Sequence, residues 1–206
     1  MFTSTRGRRV ALALAVALVL IAGMTATRPR AASAYTDTFY SYDTLPPNLY
    51  FSRGGSINQS TGAIMGTLTA YVTYDGYRHR ITMAAGSGNG TLNDCTSNAG
   101  PAPDGYYGRS DGDSNSDLVF EDKEWGGTVI RGWVWYMRNK RCDGGSSTLR
   151  TALYIHSQGY TGWQDSNYAS LGCVKVNQTD RSWLSTVYRI SYQYWNDRLH
   201  VCGNEV

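Results

Sequence analysis

Two residues in this chain have the types and the setting to build a nucleophile. His156 ends an apolar run, Ala152-Leu-Tyr-Ile-His156, and seventeen positions later Cys173 stands within Ser170-Leu-Gly-Cys-Val-Lys175. A cysteine attacks a carbonyl through its thiolate, and a neighbouring histidine is the usual agent that removes the thiol proton. Gly172, directly before the cysteine, lets the backbone turn tightly and lets a substrate come close. The pattern points to acyl transfer by a Cys–His pair.

The elements that must position these residues are β-strands. Tyrosine, threonine, glycine and tryptophan are abundant, charge is low, and long amphipathic helix patterns are nearly absent. Strand signals begin at Gly66, with a hairpin at Asp75-Gly76 between Thr67–Tyr74 and Tyr77–Ala84. Ala85–Gly90 reads as a glycine-rich turn, and Gly100–Tyr107 follows. Further strands are expected at Leu118–Glu121, Thr128–Met137, Ala152–His156, Cys173–Val176 and Arg198–Cys202. One short helix is expected over Arg181–Ile190, with Asp180 as its N-cap. Tyr35–Gly55 is aromatic and irregular, broken by Pro46-Pro47, and reads as part of an N-terminal arm.

The first 34 residues read as a signal peptide. Arg6, Arg8 and Arg9 precede the apolar Val10–Met24, and Ala32-Ser33-Ala34 supplies a small-x-small cleavage site. The apolar run is short for a membrane span, and no later segment could serve as one. Removing it takes five arginines and no acid, so the mature chain keeps 14 of the 19 basic residues against 16 acidic ones, a net charge of −2. No basic patch remains to favour nucleic acid. The expected organisation is a signal peptide over 1–34, an aromatic arm over 35–62 and a catalytic domain over 63–206.

Other constellations compete with the Cys–His pair. Four cysteines (Cys95, Cys142, Cys173 and Cys202) in a secreted chain suggest two disulfides, one of which would consume Cys173. With Cys173 free instead, two of the remaining three can pair. The Ala85–Gly90 loop lacks both the G-x-G-x-x-G spacing and the following helix of a nucleotide site, and is better taken as a turn. Asp111, Asp113, Asn115 and Asp117 alternate like a Ca²⁺ loop, but Ser116 occupies the glycine position, so a solvated acidic loop is favoured. His79 and His200 fit no motif. Trp125, Trp133, Trp135 and Trp163 could stack on sugars if they are exposed, although tryptophans of a β domain more often lie in its core.

The block from His156 to Ser170-Leu171-Gly172-Cys173-Val174 resembles the catalytic motif of the L,D-transpeptidases, the YkuD-type enzymes that cross-link or trim peptidoglycan. The hairpin, the Ala85-Gly-Ser-Gly loop and Gly100-Pro-Ala-Pro-Asp-Gly-Tyr106 resemble family segments in the same order. The Gly-Pro form is most similar to the branch of secreted peptidoglycan-targeting effectors. The resemblance covers about Gly66 to Cys202. It implies a mainly β, L,D-transpeptidase-like β-sandwich with one short helix, a single secreted domain that acts as a monomer on peptidoglycan stem peptides without cofactor or metal. It assigns Cys173 as nucleophile, His156 as base and the Ser157 backbone carbonyl as the group that orients the imidazole. Ser170, Gly172 and Lys175 would contact substrate, and the Gly172 and Cys173 N–H groups would hold the oxyanion. Two positions depart from the pattern: Leu171 stands where many members carry histidine, and Lys175 replaces the usual arginine, losing its planar fork. Hydrolysis at the same site, as an L,D-carboxypeptidase or endopeptidase, is the near alternative. A non-catalytic, disulfide-stapled cell-wall binder or inhibitor is the distant one.

Overall fold

The structure is a computed structural model that describes residues 35–43, 47–107, 118–123, 130, 132–142, 148–157, 168–191 and 198–202. Residues 1–34, read above as a signal peptide, the acidic stretch 111–117, Trp125 and Trp163 lie outside the described residues. The chain is mainly β, with a mixed sheet and, among the described residues, one helix. No described helix is long and apolar enough to cross a membrane.

At the centre is the meander β2 (Asn48–Ile57), β3 (Ile64–Tyr74) and β4 (Tyr77–Ser87). Asp75 and Gly76 both have positive φ, 51° and 79°, as the tight hairpin between β3 and β4 requires. Alternation turns Leu49, Phe51, Leu68, Ala70, Val72, Ile81 and Met83 into the core. Strand β1 (Thr36–Ser41) pairs with the first half of β4, through Thr36↔Thr82 to Ser41↔Arg78. The residues read as an irregular arm therefore form β1 and most of β2. The proline pair fell between two strands and masked them, and both strands are completed by neighbours distant in sequence.

Beyond β4 the sheet continues through β9 (Val174–Val176), β8 (Leu149–His156), β7 (Gly132–Arg141) and β6 (Val119–Lys123). On the other side, β10 (Arg198–Cys202) runs parallel to β2 and antiparallel to β5 (Gly105–Tyr107). Ala85-Gly86-Ser87, expected as a turn, completes β4 because β9 pairs with it; the turn itself begins at Gly88.

Helix α1 (Gln178–Ser191) follows β9 at once. Its N-cap is Asn177 rather than Asp180. Asn177 Oδ1 accepts from the Asp180 N–H at 2.8 Å, and Asp180 Oδ2 accepts from Asn177 Nδ2 at 2.6 Å. Asp180 thus sits inside the first turn, where a carboxylate also suits the helix dipole. Leu184, Val187 and Tyr188 bury the inner face of the helix, with Tyr188 edge-on to Trp135 at 5.2 Å. Ser191 Oγ meets both the N–H and the carbonyl of Thr73, each at 2.6 Å, tying the last turn to β3. Trp135 is 0% exposed and offers no stacking face; Trp133 is half-buried against Phe120.

Cys95 and Cys142 form a disulfide across 47 residues, joining the loop after β4 to the end of β7. Closing a loop of that length stabilises by about 4 kcal/mol on chain-entropy grounds. The double variant Cys95→Ser/Cys142→Ser is expected to lose about 2–4 kcal/mol in urea unfolding while keeping its far-UV spectrum. An unchanged midpoint would show that other contacts alone hold this loop.

Candidate active site

Strand β9 is the wedge on which the site is built. Its three residues are buried, antiparallel to the end of β4 (Ser87↔Val174) and parallel to β8 (Ile155↔Val174, His156↔Lys175). Ile155 and Val174 belong to the core, so alternation places His156 and Lys175 on the opposite face. Cys173 leads directly into β9, beside the C-terminal end of β8.

His156 is 4% exposed, and its Nδ1 lies 3.1 Å from the Ser157 carbonyl. A carbonyl only accepts, so Nδ1 carries the proton and Nε2 keeps its lone pair. Burial lowers the imidazole pKa to about 4, against the upward pull of the Ser157 carbonyl, with Lys175 and Arg181 adding to the lowering. At neutral pH the ring is neutral, with Nε2 able to act as a base.

Cys173 is free and 9% exposed. Burial pushes its thiol up to about 11, while a Tyr154 backbone hydrogen bond, Lys175 and Arg150 pull the other way. The resting pair is therefore a neutral thiol and a neutral imidazole. Among the described residues the thiol makes no hydrogen bond to His156; Sγ instead approaches the Ala152 carbonyl at 3.6 Å. Ala152 has φ 55°, where the β7–β8 register shifts between Arg138↔Leu153 and Lys140↔Arg150. That left-handed residue is a local strain of the kind found at functional sites.

The turn before Cys173 is held by two side chains that sequence reading passed over. Arg150, on β8 and 3% exposed, donates from Nη1 to the carbonyls of Asp94 and Pro101. From Nη2 it donates to Gly100 and Leu171, both at 3.0 Å. Its guanidinium thereby bolts the disulfide-bearing loop to the nucleophile turn. A Cβ at Gly172 would stand 2.1 Å from Arg150 Nη2, and Gly172 has φ 124°, so both space and backbone demand glycine. Ser87 is the second. Its Oγ accepts from the Ala102 N–H at 2.9 Å and donates to the Gly172 carbonyl at 3.3 Å.

The expected site residues lie on or next to β8 and β9, where these two strands and the end of β4 meet, and their side chains make the following contacts. Ser170 Oγ accepts from the N–H groups of Gly88 (3.1 Å) and Gly172 (3.2 Å) and donates to the Cys173 carbonyl at 2.6 Å. The Gly172 N–H is thus engaged at rest. Lys175 is 7% exposed and donates to the Ala169 carbonyl at 2.8 Å, bracing the segment ahead of the turn. Ser157 Oγ is buried and has no hydrogen-bond partner among the described residues. His79 stands apart on β4, stacked on Tyr74 and 3.0 Å from Asp37; His200 lies on β10.

Alkylation of Cys173 by iodoacetamide is expected to be slow at pH 7 and to rise about tenfold per pH unit toward pH 11, because only the thiolate reacts. A plateau already reached by pH 8 would contradict the buried, neutral thiol. Arg150→Lys keeps the charge but not the fork. It is expected to cost about 2–4 kcal/mol in chemical denaturation and to speed Cys173 alkylation at pH 7 by loosening the turn. Unchanged stability and labelling would remove Arg150 from its role. No protein-family model, curated protein or solved structure matches the chain.

Proposed function

We propose that the chain is a secreted, cysteine-dependent acyltransferase of the L,D-transpeptidase type, acting on peptidoglycan stem peptides from the secreted or cell-wall-associated side. One observation carries the proposal. A free Cys173 on a glycine turn and a neutral His156, oriented by the Ser157 carbonyl, lie at the meeting of two parallel strands. The sequence resemblance runs through the same residues, and a mixed, mainly β sheet with one helix is compatible with an L,D-transpeptidase-like sandwich.

In the proposed reaction Cys173 Sγ leaves the Ala152 carbonyl and attacks the carbonyl carbon of an L-centre in the stem peptide. The C–S bond forms as His156 Nε2 takes the thiol proton, so neither a lone thiolate nor a lone imidazolium has to develop in the buried site. The new oxyanion meets the Cys173 N–H, which makes no hydrogen bond among the described residues. The Gly172 N–H can join it once it leaves Ser170 Oγ. Collapse breaks the C–N bond to the D-residue, whose nitrogen takes the proton from His156 and departs as an amine. The thioester on Cys173 is then attacked by an acceptor amine that gives its proton to Nε2; the C–S bond breaks and the proton returns to sulfur. Water in place of the amine gives the hydrolytic outcome at the same site. The stapled-binder alternative with Cys173 bridged is disfavoured, since the disulfide joins Cys95 to Cys142.

Turnover of a tetrapeptide stem, followed by mass spectrometry of products, is expected to be lost in Cys173→Ala and reduced by about 10²–10⁴ in His156→Ala, with both variants folded. Product formation by a pure Cys173→Ala sample would end this mechanism.

A further inference from the structure

We infer that the Cys95–Cys142 disulfide is a redox switch for Cys173: opening the bridge loosens the turn that shields the thiol. The inference concerns the accessibility of Cys173 and holds whether or not that thiol transfers acyl groups.

The bridge and the guanidinium of Arg150 close one circuit. Cys95 follows Asp94, whose carbonyl accepts from Arg150 Nη1. Cys142 follows β7, and its N–H donates to the Thr148 carbonyl at 3.3 Å, two residues before Arg150. Lys140 pairs with Arg150 across the β7–β8 ladder. The bridge therefore fixes the Asp94 carbonyl against the strand pair that carries Arg150. From the same guanidinium, Nη2 reaches the carbonyl of Leu171 at 3.0 Å, two residues before Cys173.

The four acceptors of Arg150 do not depend on the bridge equally. Gly100 and Pro101 lie where the loop is anchored by other means. The Asn89 N–H donates to the Ala99 carbonyl at 2.6 Å, and the Ala102 N–H to Ser87 Oγ at 2.9 Å. Asp94 lies at the far end of the loop. Among the described residues, hydrogen bonds from Thr91 to Thr96 stay within the loop, save the one from Arg150 to the Asp94 carbonyl. With the bridge open, that bond alone must hold the segment against the chain entropy that the bridge had removed. Its loss takes one acceptor from a buried cation, which must shift to find another. The shift reaches the nucleophile turn directly, because Arg150 Nη2 would lie 2.1 Å from a Cβ at Gly172.

The switch takes a dithiol as its reductant. Cys95 is half-buried and Cys142 is 5% exposed, so Cys95 Sγ is the sulfur open to attack. A reductant thiolate bonds to Cys95 Sγ, the S–S bond breaks, and Cys142 leaves as a thiolate that takes up a proton. The reductant's second sulfur then attacks the first, releasing Cys95, which is protonated in turn. Two electrons pass to the protein, and the dithiol ends as a disulfide.

Iodoacetamide labelling at pH 7, mapped to Cys173 by digestion and mass spectrometry, tests the switch before and after reduction with dithiothreitol. Reduction is expected to speed Cys173 labelling about tenfold, with the far-UV spectrum kept. In Arg150→Lys, reduction is expected to add less than about twofold, because the guanidinium link is already gone. Ser191→Ala cuts the tie between α1 and β3 and is expected to leave Cys173 labelling unchanged, which separates the switch from general loosening. Should Arg150→Lys fail to fold, the two redox forms of the unaltered protein and of Ser191→Ala decide the matter. The inference is overturned if Cys173 labels at one rate with the bridge open or closed, or if reduction acts as strongly in Arg150→Lys. It is equally overturned if Ser191→Ala speeds labelling as much as reduction does, or if reduction collapses the far-UV spectrum.

Discussion

The buried guanidinium of Arg150 is the constraint from which the candidate site follows. Burying a charge costs several kcal/mol unless its donors are satisfied, and hydrogen bonds to a charged group return about 1.5–3 kcal/mol each. Arg150 meets this demand with four carbonyls drawn from two loops: Asp94, Gly100 and Pro101 on one side, Leu171 on the other. Satisfying one cation thus fixes the position of the disulfide loop relative to the nucleophile turn. It also dictates glycine at 172, because any Cβ there would occupy the space of the guanidinium.

The same closeness shapes the chemistry. Packing the turn under the loop removes Cys173 and His156 from water, and burial moves both groups toward their neutral forms. A resting site of this kind stores no reactive thiolate. In the proposed reaction the nucleophile is generated only as a carbonyl carbon accepts it, so the resting thiol offers little thiolate to oxidants. Lys175 contributes in a different manner from the fork its position suggests: it is spent on the Ala169 carbonyl, and its charge favours sulfur's anion while disfavouring a protonated imidazole.

Local signals in the sequence were informative where the physics is local. Asp75-Gly76 needs positive φ at two residues and announces its hairpin. The apolar runs ending at His156 and Val176 announce buried strands. What lay hidden depends on partners far along the chain. The aromatic stretch around β1 and β2 becomes strand through partners outside it, β4 for β1 and both β3 and β10 for β2. Asp180 satisfied the rule for an N-cap, yet Asn177 takes that place because β9 runs straight into the helix. Arg150 carried no signal, since its four acceptors are backbone carbonyls that any sequence would supply.

The most direct measurement of the central claim is intact-protein mass spectrometry of the protein mixed with a stem tetrapeptide and quenched in acid at short times. The account predicts a covalent adduct equal to the peptide less its terminal D-residue, mapped by digestion to Cys173 as a thioester. Substrate turned over with no adduct on Cys173, or an adduct on another residue, would contradict it.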